Sequence, residues 1–491
     1  MGTTPRAFPG LPAAVLLGLA ACGGDSTKPP PPPSPLVILT ESLRSGAVHQ
    51  LYTDGIDAEG GDGGHYWELL SGSLPPGVDL AIEDLSDDDL VVTGVPEVPG
   101  TFTFTVRVIT ESRLQADTAQ LTIQILPPTT TLRIDNIALP PTAANGQVGI
   151  PLRASGDGAG SFSWSLVAGA LPAGLELQSS GVISGVALSP GESSFTVEAS
   201  SGGESAFRSF TLRVVPNDVT RFNLTIFELA RIPADIRPHV AAAVARWEAA
   251  VTGDLEGGVI PSAFFDMRGC GGMGAEANGA AVDDVLVMVN IDSIDGPGKV
   301  LGQAGPCAIR QNGLPFIGVV TLDAADLTPL VGTTTLTSII AHEIGHVLGF
   351  GTLWTHAGLL VGAGTEDPRF TGPLATGQWQ ALGGTGAVPV ENQGGQGTVG
   401  SHLRESVFGH ELMTGFSAPV GVPQPLSRVS IASLADLGFA VDLGAADPFT
   451  LAAGLVAHEE GAAGALGWDR AGVGPVRVAP GFGGRAEGRA P

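Results

Sequence analysis

Within this 491-residue chain the residues best equipped for chemistry are His342, Glu343 and His346, set as His-Glu-x-x-His inside the stretch Thr337–Phe350. On a helix, residues four apart lie about one turn from each other, so both imidazoles converge on one ion with the carboxylate beside them. Zinc takes nitrogen ligands in a tetrahedron, and a hydrolytic site keeps one position open for water, so a further protein ligand must come from elsewhere. Glu343 is then the candidate general base, taking a proton from that water. The helix that must position these residues is itself legible. Leu336, Ile340, Ile344, Val347 and Leu348 recur at helical period on one side, with the histidines roughly opposite. One face is expected to pack and the other to hold metal.

Several residues compete for the third position. A compact continuation, His-x-x-Gly-x-x-His, has Gly349 in place but Thr352 where its last histidine would stand. Gly349 suits a helix end that turns the chain through the left-handed region. From residue type alone, His356, Glu366 and His410 are further candidates. The most informative stretch is Gly400–Thr414, which contains Gly400-Ser401-His402 and, after a few residues, Glu411-Leu412-Met413-Thr414. With His-Glu-x-x-His-x-x-Gly-Phe, a long insertion and then these two segments, the chain resembles the leishmanolysin family of metzincin zinc proteases. The resemblance extends to Trp247–Leu255 and Pro425–Phe439 and covers roughly residues 221–450. It implies one catalytic zinc ion, a peptide or protein substrate, His402 as the displaced third ligand and Met413 as the methionine beneath the metal. Leu403 and Phe439 depart from the aromatic and the tyrosine usual at those places. The chain's only tyrosines, Tyr52 and Tyr66, lie far upstream, so none in this region can assist the reaction.

The elements around the motif suggest a mixed domain. Phe222–Phe227 reads as a strand, and Pro238–Val251 as a helix with Val240, Val244, Trp247 and Val251 on one face and proline in its first turn. Val285–Ile291 and Phe316–Leu322 read as strands. By the resemblance, one of these two would supply the sheet edge along which an extended peptide binds.

Upstream, Arg6 followed by the apolar run Leu11–Ala21 is too short to span a bilayer and has the form of a secretion signal. Leu19-Ala20-Ala21-Cys22 resembles a bacterial lipobox, so residues 1–22 are expected to be a lipoprotein signal with Cys22 lipidated. The proline-rich segment 23–35 would be a stiff tether. Two related segments follow. Trp67-x-Leu69 and Gly72-x-Leu74-Pro75-x-Gly77 recur as Trp164-x-Leu166 and Gly169-x-Leu171-Pro172-x-Gly174. Alternating strands such as Thr101–Val108 and Phe207–Val215, punctuated by Gly and Pro, point to small antiparallel sandwiches. They resemble the Ig-like, cadherin-like modules of bacterial surface proteins, module one spanning 36–127 and module two 131–216. The end of the chain, 451–491, is a Gly/Ala/Pro-rich tail with little periodicity.

The expected fold is therefore multidomain: two all-β Ig-like sandwiches, then an α+β metzincin-type protease domain over 221–450. With 49 acidic against 23 basic residues, a net charge of −26, nucleic acid is excluded as a partner. Once Cys22 carries lipid, Cys270 and Cys307 form an even pair in an oxidising compartment, hence an expected disulfide. The reading is a metalloendopeptidase anchored to a membrane by its N-terminal lipid, in the bacterial cell envelope, at the outer membrane or cell surface. A surface protein or glycan is the partner its modules would take. The alternative is a surface adhesin whose modules bind while an inactive protease-like domain serves as structure. The lipobox has a direct consequence: the mature protein should begin at Cys22 and partition into detergent, whereas Cys22→Ser should remain unlipidated and poorly processed. N-terminal sequencing and phase partitioning check this, and a water-soluble wild-type protein with another N-terminus would contradict it.

Overall fold

The computed structural model describes residues 34–451 except 83–89, 158–159, 230–231, 262–273 and 396, together with Arg477 and Val478. The signal segment with Cys22, nearly all of the tether, and Cys270 lie outside the described residues.

Period-two burial shapes the N-terminal half. In Gly100–Thr110 the side chains of Phe104, Val106 and Val108 turn inward, and in its antiparallel partner Ala116–Leu126 those of Leu121, Ile123 and Ile125 do the same. This pair joins Gly46–Ala47 and His65–Gly72 in a four-stranded sheet, facing a three-stranded one of Tyr52–Ile56, Leu90–Gly94 and Val78–Ile82. The second module repeats the order. Thr142–Ala143, Glu204–Val215, Gly191–Ser201 and Ser163–Gly169 form its larger sheet, and Gln147–Pro151, Val182–Val186 and Leu175–Leu177 the smaller. The sequence repeat is thus a repeat of strand order. Module two meets the following domain through backbone: Gly149 N–H bonds Gly279 O at 2.9 Å, and Ala281 N–H bonds Thr142 Oγ1 at 3.0 Å.

The C-terminal domain is built on a sheet of β1 (Leu224–Glu228), β2 (Val285–Asp292), β3 (Gly302–Ile309) and β4 (Pro315–Asp323), in spatial order β1-β2-β4-β3. The first three neighbours are parallel and β3 runs antiparallel to β4. Helices α1 (Arg237–Ala250) and α2 (Thr334–Val347) cover one face, sharing a core with Val285, Val287, Val289, Val320 and Leu322. Alternate residues, among them Leu286, Met288, Ile317 and Val319, turn to a second core on the other face, where Cys307 is also buried. A strand covered on both faces reads as a continuous apolar run, which is why β2 and β4 were legible.

One expectation needs correction. Strands β2 and β4 lie inside the sheet, so neither Val285–Ile291 nor Phe316–Leu322 can offer an edge to a peptide. One edge is β1; on the other side β3 is open over Gly302–Cys307, and its Ala308–Ile309 end pairs parallel with Arg477–Val478, within the tail. Helix α2 packs one face on the sheet and turns the histidines to the other, and its residues from Ser338 to Val347 are all buried. The face opposite the sheet is roofed by the downstream chain.

Helix α1 is fastened to α2 by Trp247, whose Nε1–H donates to Ala341 O at 2.6 Å with the indole fully buried. Trp247→Phe should therefore lower the domain's unfolding free energy by about 1–3 kcal/mol, from one lost hydrogen bond and the gap left behind. Urea unfolding measures it, and an unchanged midpoint would show that this contact contributes nothing.

Candidate metal centre

The site is assembled from a helix, a turn and a returning strand. Helix α2 presents His342 and His346 from successive turns, and its end is set by Gly349 at φ +100°, where a Cβ would stand 2.7 Å from Leu353 Cδ1. That turn sends the Phe350 carbonyl back to His346, whose Nδ1–H it accepts at 2.9 Å. Thr352, standing where a compact motif would have its histidine, instead donates its hydroxyl to His346 O at 2.8 Å.

From there the chain leaves on an excursion and comes back. Leu360–Val361, Arg369–Phe370 and Val388–Pro389 form a small antiparallel sheet, and α3 (Pro373–Ala381) lies against α4 (Arg428–Leu437). Phe350, Trp354 and Phe370, in tilted contact with centroids 4.6 and 4.8 Å apart, tie the excursion to the end of α2. The returning residues His402–Leu403 are held from both sides: Glu391 N–H bonds His402 O at 2.9 Å, and Leu403 N–H bonds Met413 O at 2.9 Å. Gly351, at φ +71°, makes the closure possible, because a Cβ there would overlap the Ser401 carbonyl.

The result is a triangle of imidazoles. His346 Nε2 lies 3.0 Å from both His342 Nε2 and His402 Nε2, and the last two are 3.2 Å apart. Each ring's other nitrogen faces a carbonyl oxygen: Leu412 O at 2.7 Å for His342, Phe350 O for His346, and Thr398 O at 2.9 Å for His402. A carbonyl only accepts, so each Nδ1 carries the proton and each neutral ring turns its Nε2 lone pair to the common centre. Tetrahedral zinc with nitrogen ligands at 2.0–2.1 Å would set those nitrogens about 3.3 Å apart. The donor set fits a zinc ion, and the carbonyl partners are the outer contacts that orient such ligands.

Electrostatics agree with that fit. Burial pushes His346 down from 6.5 to about 4, and burial together with neighbouring imidazoles holds His342 and His402 well below their ordinary value, so all three are neutral near pH 7. Glu343 is buried next to the triangle on α2, and β3 approaches it so closely that a Cβ on Gly302 would lie 2.7 Å from its Oε1. Met413 Sδ and Cε lie beneath, against Gly345. His356, Glu366 and His410 are exposed and outside the cluster. Gly302, Gly351 and Glu411, whose carboxylate holds the Met413 turn, were not read from the sequence; a glutamate inside the apolar Leu412-Met413 context was the available signal.

Comparison with known proteins follows the same division. Residues 128–215 match the family described as "Putative Ig domain", and residues 274–362 match Leishmanolysin, a segment that contains His342, Glu343 and His346 and stops short of His402 and Met413. Leishmanolysin of Leishmania donovani is 26% identical over 159 residues, 30% of this chain and 26% of that protein. Leishmanolysin of Leishmania major is 28% identical over 167 residues, 32% of this chain and 26% of that protein. The leishmanolysin homolog of Crithidia fasciculata is 30% identical over 167 residues, 32% of this chain and 24% of that protein. The chain thus spans about a quarter of the length of these relatives. Among solved structures, the tandem Ig repeats of Dlar, 14% identical over 37% of this chain and 98% of that one, superpose with a TM-score of 0.23, too low to bear on the argument. A segment similar to Leishmanolysin thus follows one similar to an Ig domain.

The lowered imidazole pKa values carry a consequence for the metal-stripped protein. Below pH 6.5 the unfolded chain takes up protons that the folded centre refuses, so the stability tied to neutral histidines is complete above that pH and is lost as the pH falls toward about 4. The raised pKa values of Asp284 and Glu405 act with the opposite sign over this range, so the slope is read against a variant: urea midpoints followed by tryptophan fluorescence should decline from pH 7 to pH 4.5 more steeply in the wild type than in His402→Ala. Equal slopes would mean that this imidazole protonates as readily folded as unfolded.

Proposed function

We propose that the C-terminal domain is a zinc metalloendopeptidase of the leishmanolysin kind, with a metzincin-type fold, in which His342, His346 and His402 hold the ion over Met413. The observation that carries this reading is the set of three imidazole lone pairs, 3.0–3.2 Å apart, converging beside the buried Glu343 carboxylate. When bound there, zinc supplies Lewis acidity, activating a water and polarising the scissile carbonyl. Glu343 accepts the proton of that water and hands it to the leaving amine nitrogen. The three carbonyls on Nδ1 keep the imidazoles in the ligating tautomer throughout. Strand β3 reaches Glu343 and is open at its Gly302–Cys307 part, so an extended peptide adds there rather than to the strands inside the sheet.

The same proposal takes the protein to the bacterial cell envelope, at the outer membrane or surface, through a lipid on Cys22. The modules then hold the protease away from the membrane and offer strand-rich surfaces to a surface protein or glycan. Cys307, buried on β3, pairs with Cys270 in that oxidising setting. Glu343→Gln tests the catalytic part: it should retain zinc while casein hydrolysis falls roughly 100- to 10,000-fold, because the amide keeps shape but accepts no proton. His402→Ala should lose both zinc and hydrolysis, whereas His410→Ala keeps both. Undiminished turnover by zinc-loaded Glu343→Gln rejects the assigned base.

A further inference from the structure

Glu411 is fully buried, and its carboxylate is satisfied on both oxygens. Oε2 accepts the Met413 N–H, while Oε1 accepts the Ser427 N–H at 2.8 Å and the Ser430 hydroxyl at 2.6 Å. Ser427 is the N-cap of α4, where open backbone N–H groups and the positive end of the helix dipole favour a negative charge. One carboxylate therefore bridges the start of a ten-residue helix to the turn 411–414. An apolar side chain would fill the space, but it would orient none of these three donors.

What projects from that turn is the metal centre. Leu412 O receives the Nδ1–H of His342 at 2.7 Å, which fixes that ring's tautomer. Met413 O receives the N–H of Leu403 at 2.9 Å, the residue next to His402. The Met413 thioether lies against Gly345, between the two helical histidines. A displacement of the turn thus reaches two of the three imidazoles and the methionine together.

We infer that Glu411 is a positioning residue: by clamping the Met413 turn to the N-terminus of α4, its carboxylate sets the orientation of His342 and the seat of His402, and with them the affinity of the centre for metal. This rests on the zinc reading above. The clamp works at a distance from the ion through two carbonyls, so its removal should distort ligand geometry rather than delete a ligand.

The test uses the full chain, stripped of metal and titrated with Zn2+ against a chelator and with Co2+ followed by its visible absorption. Glu411→Gln preserves volume but turns an NH2 group toward donors. It should weaken zinc binding about 10- to 100-fold, as loss of an outer partner typically does, and it should shift the cobalt bands while far-UV circular dichroism stays native. Ser430→Ala keeps the charge and removes one donor; it should weaken binding in the same direction by less, and it decides the matter if Glu411→Gln fails to fold. Wild-type protein that takes up zinc, with variants that bind it equally and show an unchanged cobalt spectrum, overturns the positioning role and leaves the zinc reading standing. Wild-type protein that takes up no zinc overturns both.

Discussion

Three imidazole lone pairs turned toward one another repel unless a cation sits among them, and the surrounding structure is arranged to keep them turned that way. A proton does not serve as that cation near neutrality, since burial holds His346 near 4 and its two neighbours well below 6.5. Backbone carbonyls enforce the arrangement by occupying every Nδ1. They come from three different places, the end of α2 at Phe350, the excursion at Thr398 and the Met413 turn at Leu412, so each part of the domain holds one ring. The ligands are thus oriented by main chain, whose position is set by packing, rather than by mobile side chains.

That dependence explains the glycines around the centre. Gly349 lets the chain turn so that its next carbonyl meets His346, and Gly351 lets the returning backbone touch the end of the helix. The excursion from the end of α2 to His402 is long, yet it is not a loose loop. Phe350, Trp354 and Phe370 meet in tilted contacts, Trp379 meets Phe408 at 5.2 Å, and the side chain of Glu391 caps the N–H groups of Asn392, Gln393 and Glu405. His402 arrives at the triangle because this packing leaves it one place to go.

Local features were the ones legible in the sequence. His342, Glu343 and His346 share one helix, so their spacing alone implied their convergence, and the strands β2 and β4 announced themselves as apolar runs. The modules were readable because they repeat. His402 was reachable only through likeness to a family, because nothing in its neighbours states that the chain returns to α2 after the excursion. The edge strand β3 was missed: Gly302-Gln303-Ala304-Gly305-Pro306 has the composition of a loop and becomes a strand through pairing with β4. Its Gly302 allows the close approach to Glu343, and Gly318 on β4 allows the approach to Gly305 O. The cover over the histidine face of α2 was not legible for a related reason. Periodicity reported the face toward the sheet, and the second cover over the histidines comes from sequence far downstream.

The most direct measurement is anomalous diffraction at the zinc absorption edge from crystals of the zinc-loaded full chain. The account requires a single strong peak about 2.0–2.1 Å from Nε2 of His342, His346 and His402 together. A peak bonded to only the two helical histidines, one completed by His356, His410 or Glu366, or no peak at this centre would contradict it.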